Sequence, residues 1–112
     1  MKIVGLAFGL ILLPALAFAA TPEQIAAGKK IVFSQALGNC LACHAIAGGS
    51  QPGDIGPPLK DVKAMIPDRK MLYAIIFDEE ARNPQTMMPP FGRNAILSSK
   101  QINEVVDFLY TK

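Results

Sequence analysis

The sequence predicts an all-α domain in which three or four helices are joined by long loops. Apolar residues recur at helical spacing, and strand-like alternation is weak throughout the chain. The chain has nine prolines, and several of them, among them the pairs Pro57-Pro58 and Pro89-Pro90, mark corners between the helical segments. The segments 48–58 and 84–92 are predicted loops, and loops of this length in a small domain need something internal to pack against.

The first 19 residues are expected to be a cleaved export signal. After a positive second residue, residues 3–18 form an apolar run without charge, and Ala17-Phe18-Ala19 offers small side chains for cleavage after Ala19. A retained membrane anchor is the alternative. However, the run is shorter than the roughly 20 residues of a spanning helix and contains Pro14. The mature domain is therefore predicted to be residues 20–112.

The composition of this domain excludes some classes of function. Without Lys2, the formal charge of +2 becomes +1, from ten Lys and Arg against nine Asp and Glu. The basic residues are dispersed, so the chain has no basic stripe for nucleic acid or a membrane surface. A chain of this size can fold alone, but its core is modest and an internal prosthetic group would add to it.

The first helix is predicted from its capping residues. Thr21 can cap it, and Gln24 completes a capping box. Pro22 suits the first turn, and the helix should run to about Ser34. A helix interior normally disfavours glycine, so Gly28 indicates the close approach of another helix.

Two later helices have similar signals. Asp68 can cap a helix that runs through about Ala81, before Asn83-Pro84 stops it. Ser98 caps the last helix, which is the clearest of the three. Its apolar residues follow the i, i+3, i+4, i+7 rule at Ile102, Val105, Val106 and Leu109.

Between the first two helices lies Cys40-Leu41-Ala42-Cys43-His44, which has the C-x-x-C-H pattern of covalent haem attachment. Two cysteines three apart lie close together on one turn, so their sulfurs can add to two vinyl groups of one porphyrin. The next residue can then reach the iron. The sequence therefore predicts one covalent haem c on Cys40 and Cys43, with His44 as the proximal iron ligand.

Other uses of the two cysteines are less well supported. A thioredoxin-type redox disulfide would lie in a βαβ pattern, and the sequence has no strand signals. Zinc usually takes four ligands, and the single histidine would leave carboxylates to complete the set. A structural disulfide at this spacing would close a very small loop and stabilise the fold little.

The other face of the iron is left to a methionine or to an open site, because the chain has no second histidine. Met65 and Met71 lie nearer to the haem motif in sequence, but Met71 belongs to an apolar helix stripe where core packing is the ordinary role. Met87 and Met88 lie in the later proline-bounded loop, which could hold a thioether at little ordering cost. Spacing alone does not separate these two. Methionine ligation would raise the reduction potential and favour electron transfer.

The segment Gly56-Pro57-Pro58-Leu59 is a candidate support for the histidine. A ligating histidine usually donates its second ring N–H to a fixed acceptor, and the carbonyl of Pro57 is our choice for that acceptor. A rigid turn with no such role explains the spacing equally well.

Together these residues resemble class I cytochromes c, in which the haem motif lies near the mature N-terminus and a methionine loop precedes the last helix. Gly28 and Phe108 match the positions where the first and last helices cross in that fold. A closer resemblance is to the SoxX family, the monohaem subunits of the SoxAX complex of sulfur-oxidising bacteria. It covers nearly all of the mature chain through the segments G-N-C-L-A-C-H, G-P-P-L and R-N-P-Q-T-M-M-P-P-F-G.

The resemblance implies that Met88 is the axial methionine and Met87 its variable neighbour. It implies a periplasmic role in thiosulfate oxidation, within a heterodimer with a larger SoxA-like haem subunit. That larger subunit is credited with joining thiosulfate to a cysteine of a carrier protein, so no catalytic residue is expected here. Electrons would leave to a small acceptor cytochrome. The chain is expected to be without the N-terminal extension that some relatives carry, which leaves open the size of its interface with the larger subunit.

Two other functions use the same sequence features. A free monohaem carrier that passes electrons to an oxidase needs the same iron ligands and differs only in its partners. A gas- or peroxide-binding haem protein needs an open iron face, and hence no methionine ligand.

Overall fold

The computed structural model describes residues 9–14 and 19–112 and contains four α-helices within these ranges. They are α1 (Pro22–Phe33), α2 (Val62–Met65), α3 (Arg69–Asp78) and α4 (Ser99–Leu109). Two 3₁₀ turns, Cys40–Ala42 and Glu79–Ala81, complete the regular structure of this part. It has no β-strand, only an isolated bridge between Ile46 and Leu59. The predicted all-α class with three or four helices is confirmed.

The predicted export signal lies mostly outside the described residues, which include only 9–14 and Ala19 of it. Residues 9–14 have no regular secondary structure, and the side chains of residues 10–13 are exposed. Within the described ranges, no helix combines the length and apolar character needed to cross a membrane. Cleavage after Ala19 stays a prediction.

The capping residues start the helices where the sequence predicts. Before α1, the Thr21 hydroxyl accepts the Gln24 N–H at 3.2 Å, and the Gln24 side chain accepts the Thr21 N–H at 2.8 Å. Ser98 and Gln101 form the same reciprocal pair before α4. Asp68 caps α3 by accepting a backbone N–H of its first turn.

Two helix ends differ from the prediction. The first helix ends at Phe33, one residue early, and α3 ends at Asp78 with a 3₁₀ turn following it to Ala81. The short α2 was not predicted as a separate element, because four residues are too few to show a periodic pattern.

The crossing of α1 and α4 at Gly28 is the centre of the fold. A Cβ atom on Gly28 would lie 1.9 Å from the carbonyl oxygen of Glu104 and 2.8 Å from Cβ of Phe108, so only glycine allows this approach. Beside it, the rings of Phe33 and Phe108 meet edge to face with centroids 5.9 Å apart. The helix contact that the resemblance implies is therefore present.

Two buried carboxylates on α4 are compensated by cations. The Asp107 carboxylate lies 2.6 Å from the guanidinium of Arg69, which begins α3 and so links the two helices. Glu104 lies 2.6 Å from the ammonium group of Lys100 one turn earlier. Because both acids have partners, α4 can bury them next to the apolar core.

Candidate functional site

The C-x-x-C-H segment forms a compact turn after α1. Asn39 enters it in the left-handed conformation, with φ of 48°. The N–H of His44 donates to the Cys40 carbonyl at 2.9 Å and closes the turn. Cys40 and Cys43 are half-buried, and their sulfurs are not joined to each other. The structure therefore has the single-turn arrangement that the spacing predicts.

The loop after the motif folds back over it through backbone hydrogen bonds. Gly53 donates its N–H to the Leu41 carbonyl at 2.9 Å, and Gly56 donates to the Cys43 carbonyl at 2.8 Å. These bonds satisfy two carbonyls of the motif and fix the position of the proline pair that follows.

The imidazole of His44 is oriented by this loop. Its Nδ1 lies 2.7 Å from the carbonyl oxygen of Pro57, and because a carbonyl only accepts, Nδ1 carries the hydrogen and donates. That tautomer leaves the Nε2 lone pair available for a metal. The acceptor chosen from the sequence is thus in contact with the ring, while the binding of iron by His44 stays a prediction.

Gly56→Ala is expected to disturb this orientation, because a Cβ atom at Gly56 would lie 2.3 Å from Cε1 of the His44 ring. Either the ring or the loop must move. We expect the free energy of unfolding of the haem-loaded protein to fall by about 2 kcal/mol, measured from the urea dependence of the Soret absorbance. Ser50→Ala, at an exposed position of the same loop, is the control. Equal midpoints for both variants would contradict the close fit at Gly56.

The Cys40 thiol does not have the properties of a redox-active cysteine. Burial raises the pKa of Cys40 to about 11, and the charge of Cys43 adds to this effect against a backbone hydrogen bond that lowers it. Reactive C-x-x-C thiols have the opposite property, a lowered pKa. Within the described part of the chain, His, Cys, Asp and Glu side chains form no group of three suited to a metal ion. The raised pKa of Cys40 argues against the redox alternative.

The structure separates the two neighbouring methionines of the 84–92 loop. Met87 is 74% exposed, whereas Met88 is partly buried and packs against the core. The N–H of Met88 donates to the Thr86 hydroxyl at 3.1 Å, which fixes the backbone at this point. Met65 and Met71 are also exposed. Burial therefore favours Met88 as an internal ligand, while the ligation itself stays a prediction.

Two apolar clefts flank α3. Their apolar walls are Met65, Met71 and Ile75 in the first, of about 580 Å³, and Tyr73, Ala74 and Phe77 in the second, of about 430 Å³. Uncovered apolar side chains of this kind mark a surface on which another group packs. The two free thiols and the oriented imidazole do not line these clefts; they are the donors that covalent attachment of a haem requires.

Comparisons with known proteins agree with this arrangement. A family described as "Cytochrome C oxidase, cbb3-type, subunit III" matches residues 23–109, which extend from the first turn of α1 to the end of α4. The solved structure titled "Crystal structure of SoxXA from P. pantotrophus" is similar, with a TM-score of 0.69 and 30% sequence identity. The similarity covers 85% of this chain and 83% of the matched chain.

A third similar protein is an "Uncharacterized lipoprotein" of Aquifex aeolicus (strain VF5). It is 32% identical over 78 residues, covering 65% of this chain. The chain spans only 36% of the length of that relative. The similarity therefore concerns one part of a longer protein.

Proposed function

We propose that this chain, which belongs to the family described as "Cytochrome C oxidase, cbb3-type, subunit III" and has the class I fold of SoxX-like cytochromes, serves in thiosulfate oxidation. It would be the small electron-transfer subunit of a SoxAX-type complex. The observation that carries this proposal is the similarity to the SoxXA structure over most of both chains. The leader would be removed after Ala19, leaving residues 20–112 in the periplasm.

One haem c would be held by the residues described above. Cys40 and Cys43 would attach it covalently, and His44 and Met88 would be the two iron ligands. The haem supplies one-electron redox chemistry. The chain fixes the ligands: the Pro57 carbonyl orients the imidazole, and the hydrogen bonds of the two loops hold both ligands in place. With His44 and Met88 both as ligands, the chain would leave the iron closed to substrates.

The proposed direction of electron flow rests on the similarity to the SoxXA structure, and the proposed ligand set is compatible with it. No residue of the chain is proposed as catalytic, since both cysteines are assigned to the haem. Electrons would arrive from a larger SoxA-like haem subunit, where the sulfur chemistry would take place. They would leave to a small acceptor cytochrome. Methionine ligation raises the reduction potential, which suits a site that accepts electrons from its neighbour.

Met88→Ala is expected to abolish the weak long-wavelength band that ferric haem shows when a methionine sulfur binds the iron. The reduction potential should fall as well, because the thioether favours the ferrous state. Met87→Ala is the matched control, because its exposed side chain should leave band and potential unchanged. The reverse result would reassign the ligand to Met87. A wild-type protein without the band would instead favour a gas- or peroxide-binding function.

The partnership is tested by co-expression with a candidate SoxA-like haem subunit. We expect the two chains to elute together in size-exclusion chromatography, with haem absorbance in the shared peak. Separate elution of both haem-loaded chains at micromolar concentration would contradict the proposal.

The name of the matched family supports a second function, in which the protein carries electrons to an oxidase. This carrier would have the same iron ligands, so only its partners would distinguish it from a SoxX-like subunit. Purification of the native protein after mild cross-linking separates the two cases. Recovery of a terminal oxidase without a SoxA-like subunit would favour the carrier.

A further inference from the structure

The loop that carries Met88 begins and ends at one short segment, residues 77–80 at the C-terminal end of α3. Where the loop begins, the N–H of Asn83 donates to the carbonyl of Glu79 at 2.8 Å. The loop 84–92 then leaves this segment and returns to it. These attachments hold both ends of the methionine loop against the end of α3, so opening of either one would widen the range over which Met88 can move.

The returning end is attached through the backbone. The N–H groups of Gly92 and Arg93 both donate to the Phe77 carbonyl, at 3.0 and 3.2 Å. Phe77 lies in the last turn of α3, where carbonyl groups have no donor further along the helix. The end of the helix thus offers an acceptor that the returning loop uses.

The side chain of Arg93 adds an ionic contact at the same place. One terminal nitrogen of its guanidinium lies 2.9 Å from Oδ2 of Asp78, and the other lies 2.5 Å from Oε2 of Glu80. The hydrogen bond with Glu80, and the nearby charges of both acids, raise the pKa of Arg93. A planar guanidinium can bridge two carboxylates in this way, whereas an ammonium group is a single point charge.

Asp78 depends on this contact. Its side chain is only 16% exposed, and among the described residues its other oxygen, Oδ1, is buried without a hydrogen-bond partner. Arg93 therefore supplies the contact that compensates this carboxylate. If the loop opened, Asp78 would lose its partner, and this opposes opening.

We propose that Arg93 is a positioning residue for Met88: by bridging Asp78 and Glu80, its guanidinium keeps the methionine loop closed on α3. The inference rests on the proposed function, because it takes Met88 as the iron ligand. Arg82 provides a contrast. It pairs with Glu79 at 4.0 Å across the 3₁₀ turn that follows α3 and does not reach across to the returning end of the loop.

Imidazole added to the ferric haem-loaded protein measures how readily this loop opens, since it must displace the methionine to bind. Arg93→Gln is expected to raise the apparent imidazole affinity about fivefold at low ionic strength. Added salt should raise the affinity of the wild-type protein toward that of the variant, because salt screens a partly exposed ion pair. The affinity of the variant should change little with salt.

Two further variants isolate the contact. Arg82→Gln removes the same charge from the same region and should leave the imidazole affinity within about twofold of wild type. Glu80→Gln breaks one arm of the bridge without leaving Asp78 unpaired, so it tests the contact even if Arg93→Gln folds poorly. It should give part of the effect, and should add little when combined with Arg93→Gln, because both changes remove one interaction.

The outcomes separate the inference from the function on which it rests. If the long-wavelength methionine band is present but Arg93→Gln and Glu80→Gln behave like Arg82→Gln, the positioning role is overturned and the ligand assignment stands. If the wild-type protein lacks the band, the ligand assignment falls and the role of Arg93 falls with it.

Discussion

The Cys40→Ala/Cys43→Ala variant is expected to contain no covalently bound haem when it is produced in a host that attaches haem c. The chain has no other cysteine, so no thioether can form elsewhere. Intact-mass measurement in denaturant should give the mass of the polypeptide alone, whereas the wild-type protein should carry the added mass of one macrocycle. Each single substitution should leave at most one thioether and less haem-loaded protein.

Met87→Ala is the control for this experiment, because the exposed methionine should not affect attachment. A macrocycle on the double variant, or its absence from the wild-type protein, would contradict the proposed site. The double variant should also lose much of its near-UV circular dichroism. The loops at 48–58 and 84–92 would then lack the group against which they are proposed to pack.

Gly28→Ala is expected to destabilise the domain more than any surface substitution. The added methyl would overlap the Glu104 carbonyl, which cannot move unless α4 moves with it. Alanine favours a helix by about 1 kcal/mol over glycine, but overpacking at a backbone contact costs more than this. We expect a net loss of about 3 kcal/mol in the free energy of unfolding, or failure to accumulate folded protein.

The measurement is urea unfolding of the haem-loaded protein, followed by far-UV circular dichroism. Lys29→Ala is a suitable control, since Lys29 is the exposed neighbour of Gly28 on the same helix. A Gly28→Ala protein within about 0.5 kcal/mol of this control would show that the helices do not cross as closely as described.

The parts of the fold that depend on local signals could be predicted from the sequence. The caps at Thr21, Asp68 and Ser98 depend on residues within one turn, and the structure has each of them. The end of α3 at Asp78 was not predicted; there the Phe77 carbonyl accepts hydrogen bonds from residues 92 and 93. Such a contact joins residues distant in sequence and leaves no local pattern.

The same distinction applies to the site. The C-x-x-C-H motif is one turn long, so its compact shape follows from its spacing. The Pro57 carbonyl could not be distinguished from that of a plain turn until its distance to His44 was known. Met87 and Met88 differ in burial, which tertiary packing decides. Arg93 was missed as a support of the loop, because its partners lie 13 and 15 residues away in sequence.

The acceptor of the His44 hydrogen bond is the main-chain carbonyl of Pro57, and this affects which substitutions the site tolerates. A carboxylate acceptor would attract the Nδ1 proton and give the ring imidazolate character, and the carboxylate itself could be protonated. An amide oxygen is uncharged and does not ionise at any physiological pH. As the proposed iron ligand, the His44 imidazole should therefore have a moderate electron-donating power that does not depend on the ionisation of its acceptor. Every amino acid has a main-chain carbonyl, so no substitution at position 57 can remove the acceptor. A substitution can only change the conformation of the loop that carries it.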